Sequence, residues 1–205
     1  MTPNSGGIKI SVPPTILFTV VGKTEDVNKA VTMDAKSPGD LVYVLGITKD
    51  ELGGSEYYAM HGFIGNSVPK VDPKTVKMYH ALTKAISRGL VASCHDCSDG
   101  GLAVALAETA FAGGLGLNID LAEVPADGIT RNDTLLFSES QSRFVITVSA
   151  QNQRMFEEIV KGHPFAAIGH ITSGEDFVVK GLNDQIIIRA NIRELKESWQ
   201  KTLRW

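Results

Sequence analysis

The chain reads as an α+β domain with helices layered on a mixed β-sheet, and three observations predict it. Apolar runs of strand length alternate with longer segments of helical spacing. The run Leu41-Val42-Tyr43-Val44-Leu45 is apolar on both faces, as a central strand must be. Two strand candidates near the C-terminus close on Gly181-Leu182-Asn183-Asp184, a turn that makes a hairpin. No internal repeat or low-complexity tract is present in the 205 residues.

Residues 1–7 read as a loose leader, with Asn4-Ser5-Gly6-Gly7 favouring a turn, and 8–12 as a short isolated segment. Residues 15–21 are a strand candidate. Pro38-Gly39-Asp40 turns the chain into the central strand 41–45, and Leu52-Gly53-Gly54 feeds a short helix capped by Ser55. Asp72 and Pro73 have the character of N-cap and N1 of a long helix, with Val76, Tyr79, Leu82 and Ile86 down one side and an end near Gly89. A strand over 91–95, a helix over 101–111 and a strand over 115–121 follow. The polar turn 138–142 enters a strand over 143–148, and 151–161 is amphipathic, with Met155, Ile159 and Val160 predicted inward. Strands over 165–171, 176–179 and 185–189 and a closing helix from 192 to about 203 complete the order.

With 43% hydrophobic and 21% charged residues and a formal net charge of −3, the composition is that of an ordinary globular protein. Its basic residues are scattered, and the densest group, 193–201, alternates with Glu194 and Glu197 as a solvated helix face does, so nucleic acid is not expected. No apolar run is long enough to cross a bilayer and the N-terminus lacks a signal-peptide pattern, so the expectation is a cytoplasmic protein without a membrane partner. The two cysteines, Cys94 and Cys97, have CxxC spacing, which raises zinc and thiol redox chemistry. Neither is expected. A structural zinc site needs more ligands than are at hand, with no second cysteine pair and with His95 on the opposite side of an extended segment. A redox motif opens a helix directly, and here the helix starts two or three residues too late.

The richest segment runs from Ser93 to Glu108, where the polar stretch His95-Asp96-Cys97-Ser98-Asp99 and the pair Gly100-Gly101 pass into an alanine-rich helix. Free N–H groups and the positive end of a helix dipole there suit a phosphate, and the missing β-carbons let an oxygen approach the main chain. Ser98 or Asp99 can cap the helix, and a Ser-Asp cap before glycines serves purely structural ends in many folds. Glu139 and Gln141 are two apart, so in extended geometry they share a face with Ser140 on the other, a pattern able to grip an amide or ribose as well as to form a solvated turn. Asp120, between Ile119 and Leu121 at a strand end, suits either a Mg²⁺ ligand beside phosphates or a turn cap. His95 can donate to a ligand or be a hydrogen-bonded structural histidine.

Four blocks taken together resemble a known family: Gly39-Asp40-Leu41; Leu52-Gly53-Gly54-Ser55-Glu56-Tyr57; His95-Asp96-Cys97-Ser98-Asp99-Gly100-Gly101-Leu102 with Ala105-Leu106-Ala107-Glu108; and Leu136-Phe137-Ser138-Glu139-Ser140-Gln141-Ser142-Arg143-Phe144. In order and spacing they look like the large subunit of phosphoribosylformylglycinamidine synthase, of the aminoimidazole ribonucleotide synthetase-like superfamily, and within it the C-terminal domain of the second repeat. The resemblance implies an aminoimidazole ribonucleotide synthetase C-terminal-domain-like fold over 35–205, with 1–34 as leader and terminal strand of a preceding N-terminal-type domain. It implies an ATP-dependent ligase step of purine biosynthesis, with ATP/ADP and Mg²⁺ as cofactors. The implied partners are the N-terminal domains of the same synthase, its glutaminase subunit and its small accessory subunit. By position it assigns His95, Ser98, Asp99, Gly100, Gly101, Glu139, Ser140 and Gln141 to substrate or nucleotide binding and Asp120 to metal. His95 stands where the first repeat carries a glutamine. The family's catalytic histidine, ATP lysine and main Mg²⁺ carboxylates lie in domains outside this chain, so no catalytic residue and no turnover by the chain alone are expected. Competing readings are a free-standing nucleotide- or phosphate-binding module and another superfamily member, such as selenophosphate synthetase, thiamine-monophosphate kinase or a hydrogenase maturation factor, though these are not expected to carry the Ser-Glu-Ser-Gln-Ser-Arg-Phe block.

Overall fold

A computed structural model of the chain describes residues 16–24 and 26–201. Seven strands form one mixed sheet: β1 (Leu41–Leu45), β2 (Ser93–Asp96), β3 (Gly116–Asp120), β4 (Phe144–Val148), β5 (Phe165–Thr172), β6 (Asp176–Lys180) and β7 (Ile186–Asn191). Their spatial order is β2-β4-β1-β5-β3-β6-β7, and every pair is antiparallel except β3 with β6. The hairpin expected around Gly181 is the β6–β7 pair.

β1 is interior and apolar on both faces because helices cover both. Val42 and Val44 face a core built with α3 (Gly101–Gly113), α4 (Asn132–Phe137) and α6 (Ile192–Lys201). Tyr43 and Leu45 face a second core with α2 (Val76–Ser87) and α5 (Gln153–Val160). Tyr43 is fully buried, meets Phe156 edge-on at 5.0 Å between ring centroids, and satisfies its hydroxyl by donating to Glu157 Oε1 at 2.7 Å. Toward β6 and β7 one sheet face carries Asn118, His170, Lys180 and Arg189 and borders an open groove.

The short helix α1 (Glu56–Met60) is capped as expected, Ser55 Oγ accepting from Tyr58 N–H at 3.2 Å. Asp72 caps a 3₁₀ turn, Pro73–Thr75, that runs into α2. Three expectations are corrected. On α2 Leu82 and Ile86 lie on the inward side as expected, but Val76 and Tyr79 are exposed, and Met78 and Ala85 complete the inward stripe, Met78 taking the core-facing place at the start of the helix. On α5 the buried residues are Phe156 and Val160, and Met155 is 55% exposed. Residues 16–21 form no strand, and Ile16, Leu17, Phe18, Val20 and Val21 are exposed; no neighbouring strand among the described residues offers their backbone a partner, and a lone strand is not stable. The helix α4 is an element without an expected counterpart: it is six residues long and overlaps the quoted motif blocks only at Leu136 and Phe137. The leader 1–7, the segment 8–12, Thr15 and the last residues of the closing helix lie outside the described residues.

Candidate functional site

The start of α3 is built by glycine. Its N-cap is Gly100 at φ 77°, no side chain caps it, and Gly101 follows at φ 66°, so neither Ser98 nor Asp99 has the capping role foreseen. The reason is local: two left-handed residues bring Gly101 N–H onto Ser98 O at 3.0 Å, and turn Ser98 outward, where its hydroxyl donates to Asp96. The Gly100 N–H donates to Glu139 Oε1 at 2.9 Å, and the same oxygen accepts from Glu56 N–H at 3.0 Å. One carboxylate thus sits at the positive ends of both α1 and α3, in the position foreseen for a ligand anion. A β-carbon on Gly101 would lie 2.4 Å from Ser138 O and 2.8 Å from Leu136 O, so the missing side chain accommodates the protein's own main chain.

Phe137 fixes where this segment leaves α4. Its ring stacks on Tyr57 at 4.7 Å and 2°, and Tyr57 OH donates to Asp133 Oδ2 at 3.1 Å. The hydrogen bond from Arg131, followed by that from Tyr57, holds the Asp133 carboxyl below the usual carboxylate range despite burial. Beyond Glu139 the chain forms a turn, with Ser142 in the left-handed region at φ 62°. Arg143 holds the turn from beneath. At 1% exposed it donates through Nε to Ser140 O at 2.9 Å, through Nη1 to Thr48 Oγ1 at 3.0 Å and through Nη2 to Ser138 O.

The turn walls a cleft of about 440 Å³ lined by Asp96, Ser98, Asp99, Glu139, Gln141 and Tyr79, among others. Glu139 and Gln141 therefore share a side, and Ser140 is on another: its Oγ accepts from Lys49 N–H at 3.0 Å. Glu139 Oε2 has no hydrogen-bond partner among the described residues. With Gln141, which both donates and accepts, it offers the cleft a grip for hydroxyl or amide groups.

Two foreseen members stand apart from this cleft. His95 Nε2 is 2.6 Å from Glu108 Oε2, whose other oxygen accepts from Trp199 Nε1 at 2.8 Å, so the histidine ties β2 to α3 and α6. Asp120 borders the open groove on the sheet, where Lys180 Nζ is 2.5 Å from Oδ2 and Ala122 N–H donates to Oδ1 at 3.0 Å. Burial pushes its carboxyl up, but Lys180 outweighs that and holds it below the usual range. Among the described residues no three His, Cys, Asp or Glu side chains converge as metal ligands do. One carboxylate already paired with an ammonium does not by itself fit Mg²⁺, which is held through carboxylates, waters and phosphate oxygens together. Arg143 and Glu108 stand in the quoted motif blocks without a role, and Trp199 lies outside them; only the fold shows that Arg143 turns back under 138–140 and that Trp199 meets Glu108.

Both cysteines are free, Cys97 buried and Cys94 partly so. Burial pushes the Cys94 thiol up to about 12 and the Cys97 thiol up to about 11. The thiolate is therefore scarce near neutral pH, and alkylation by iodoacetamide at pH 8 is expected to run at least about tenfold slower in the folded chain than in urea. Above about pH 8.5 the unfolded chain ionises first, so these thiols lower stability as pH rises. Equal labelling rates in the two states would contradict this burial.

Residues 37–181 match the family described as AIR synthase related protein, C-terminal domain. The chain is 38% identical over 199 residues to a phosphoribosylformylglycinamidine synthase subunit PurL of Alkaliphilus metalliredigens, covering 95% of this chain and 26% of that protein. It thus spans about a quarter of the length of this curated relative. Among solved structures it resembles PurL of Thermotoga maritima complexed with FGAR, with a TM-score of 0.73 and 23% identity over 82% of this chain and 30% of that one. The same protein complexed with ATP matches with a TM-score of 0.67, at 20% identity over 82% of this chain and 27% of that one. A hydrogenase maturation protein HypE in complex with ATP has a TM-score of 0.58, with 16% identity over 80% and 55%. At these identities the structural likenesses speak for the fold.

Proposed function

The chain belongs to the AIR synthase related protein C-terminal domain family, and from that premise we propose that it serves as the C-terminal domain of a phosphoribosylformylglycinamidine synthase. The observation that carries this reading is the 38% identity to a synthase subunit over 95% of the chain. The reaction joins formylglycinamide ribonucleotide, ATP and glutamine-derived ammonia. The glycinamide carbonyl oxygen takes the γ-phosphoryl group of ATP, releasing ADP. Ammonia then attacks the activated carbon, gives up a proton, and phosphate leaves to form the amidine. Such transfer depends chiefly on positioning and electrostatics.

In this reading the chain's own share is to bind and orient. Ser98, Asp99, Glu139 and Gln141 form the wall of the cleft, where Glu139 Oε2 accepts from a ligand hydroxyl or amide and Gln141 completes the grip. Gly100 and Gly101 support that wall through the main chain, Ser140 through its hydroxyl on Lys49 N–H, and His95 braces it through Glu108. Mg²⁺ when bound screens phosphate charge, and Asp120 would join its ligands only if the ion displaced Lys180 and oxygen ligands from the rest of the enzyme, substrate or water completed the shell. ATP/ADP, the enzyme's N-terminal domains, its glutaminase and small accessory subunits, and a cytoplasmic setting belong to the same proposal. Among the described residues no helix is long and apolar enough to cross a membrane.

The test is ADP formation from ATP, formylglycinamide ribonucleotide and ammonia, by this chain alone and by a chain carrying it joined to N-terminal domains of the family. Turnover is expected only in the joined form, where Glu139→Gln lowers kcat/KM by roughly tenfold or more, the order of one lost charged contact. Turnover by the chain alone, or an unaffected Glu139→Gln enzyme, overturns the respective part of the reading.

A further inference from the structure

A second cavity, of about 320 Å³, shares Gln141 and Ser142 with the Glu139 cleft but has the opposite electrostatic character. Its walls carry Lys49, Lys70, Lys74 and Lys77 together with His163. None of these four lysines forms an ion pair among the described residues, whereas Lys36, Lys161 and Lys180 each do. Two carboxylates also line the cavity, yet both accept hydrogen bonds from the main chain. Glu51 Oε1 accepts from Lys70 N–H at 3.1 Å and Asp72 Oδ1 from Lys74 N–H at 2.9 Å. They hold the backbone that bears the lysines while leaving the ammonium groups unpaired. Between them Ser142 is fixed by Tyr79 OH and by Thr75 Oγ1 at 3.3 Å, adding a hydroxyl to the wall.

The neighbouring cleft presents Asp96, Asp99 and Glu139, and its one guanidinium, on Arg143, spends its donors on Ser138 O, Ser140 O and Thr48 Oγ1. The start of α3 is already occupied by Glu139. An anion approaching this face is therefore repelled by the cleft and drawn to the lysines. The volume lies at the lower end of the range for small-molecule sites. We propose that the lysine-lined cavity binds the phosphate group of a small phosphorylated ligand, with Lys70 and Lys74 as its principal cationic contacts. The assignment stands on the charge and shape of these walls and does not depend on the synthase reading.

Calorimetric titration of the 205-residue chain with inorganic pyrophosphate, and separately with ribose 5-phosphate, tests it at fixed ionic strength. The expected result is saturable binding that Lys70→Glu with Lys74→Glu weakens by roughly tenfold or more, while Lys196→Glu with Lys201→Glu, an equal change of charge on α6, alters it less than about twofold. Tighter pyrophosphate binding identifies a diphosphate ligand and tighter ribose 5-phosphate binding a sugar phosphomonoester, both as expected. Lys70→Gln with Lys74→Gln and a thermal melt show whether a loss comes from charge or from unfolding, and the glutamine pair is expected to melt normally and bind more weakly. Absent binding, unchanged binding by both cavity variants, or equal loss in the α6 pair overturns the proposal.

Discussion

Replacing Gly101 by alanine is expected to destabilise the chain by about 3–5 kcal/mol, as large as any single substitution in the core. Two costs add. A side chain in the left-handed region is strained by about 1–2 kcal/mol. The new β-carbon would also stand 2.4 Å from Ser138 O and 2.8 Å from Leu136 O, and neither is a flexible tip that can swing aside. Gly114 separates the two terms, since it has φ 68° but nothing within 4 Å of the place a β-carbon would take, and so carries the strain alone. Urea unfolding of Gly101→Ala and Gly114→Ala should differ by about 2 kcal/mol or more. Equal midpoint shifts would sink the claim that α3 is pressed against the 136–138 main chain.

Arg143→Ala carries the second large effect, again about 3–5 kcal/mol. It deletes a side chain 1% exposed and strands two carbonyls and a hydroxyl that its guanidinium satisfies. Burial lowers the guanidinium's pKa from its ordinary value. Arg143→Lys should recover little, because an ammonium cannot reach three acceptors arranged around a planar fork. Arg143→Met restores much of the volume without donors, so a loss persisting there isolates the hydrogen bonds from the cavity. Because Arg143 supports the turn that carries Glu139, the amides of Gly100 and Glu56 should exchange faster in each variant by local opening, in addition to the acceleration that the global loss of stability gives the core amides of β1. Unchanged exchange at both would mean that Glu139 holds its place without Arg143.

Much of the fold is legible from pattern alone. The apolar run 41–45 announces a buried central strand, and Ser55, Asp72-Pro73 and the turn 181–184 mark helix starts and a hairpin in the residues themselves. Where pattern failed, a neighbour decided. Met155 and Phe156 are both apolar and adjacent on α5, and the cluster that Tyr43, Leu82 and Ile146 build beneath the helix takes Phe156 into the core. The segment 16–21 has strand composition, but a strand is a pairing, and composition cannot supply the partner.

The candidate site divides along the same line. Residue types at short range determined the glycine start of α3, the shared side of Glu139 and Gln141 and the family to which the chain belongs, because turn chemistry and motif spacing act over a few residues. The tertiary structure decided which group answers the helix dipole, placing Glu139 there, 39 residues along the chain from Gly100. It sent His95 to Glu108 and Asp120 to Lys180, and it gathered Lys49, Lys70, Lys74 and Lys77 around one cavity. Hydrogen bonds and charges are satisfied by whatever the fold brings within a few ångströms, and that distance is set by packing rather than by order along the chain.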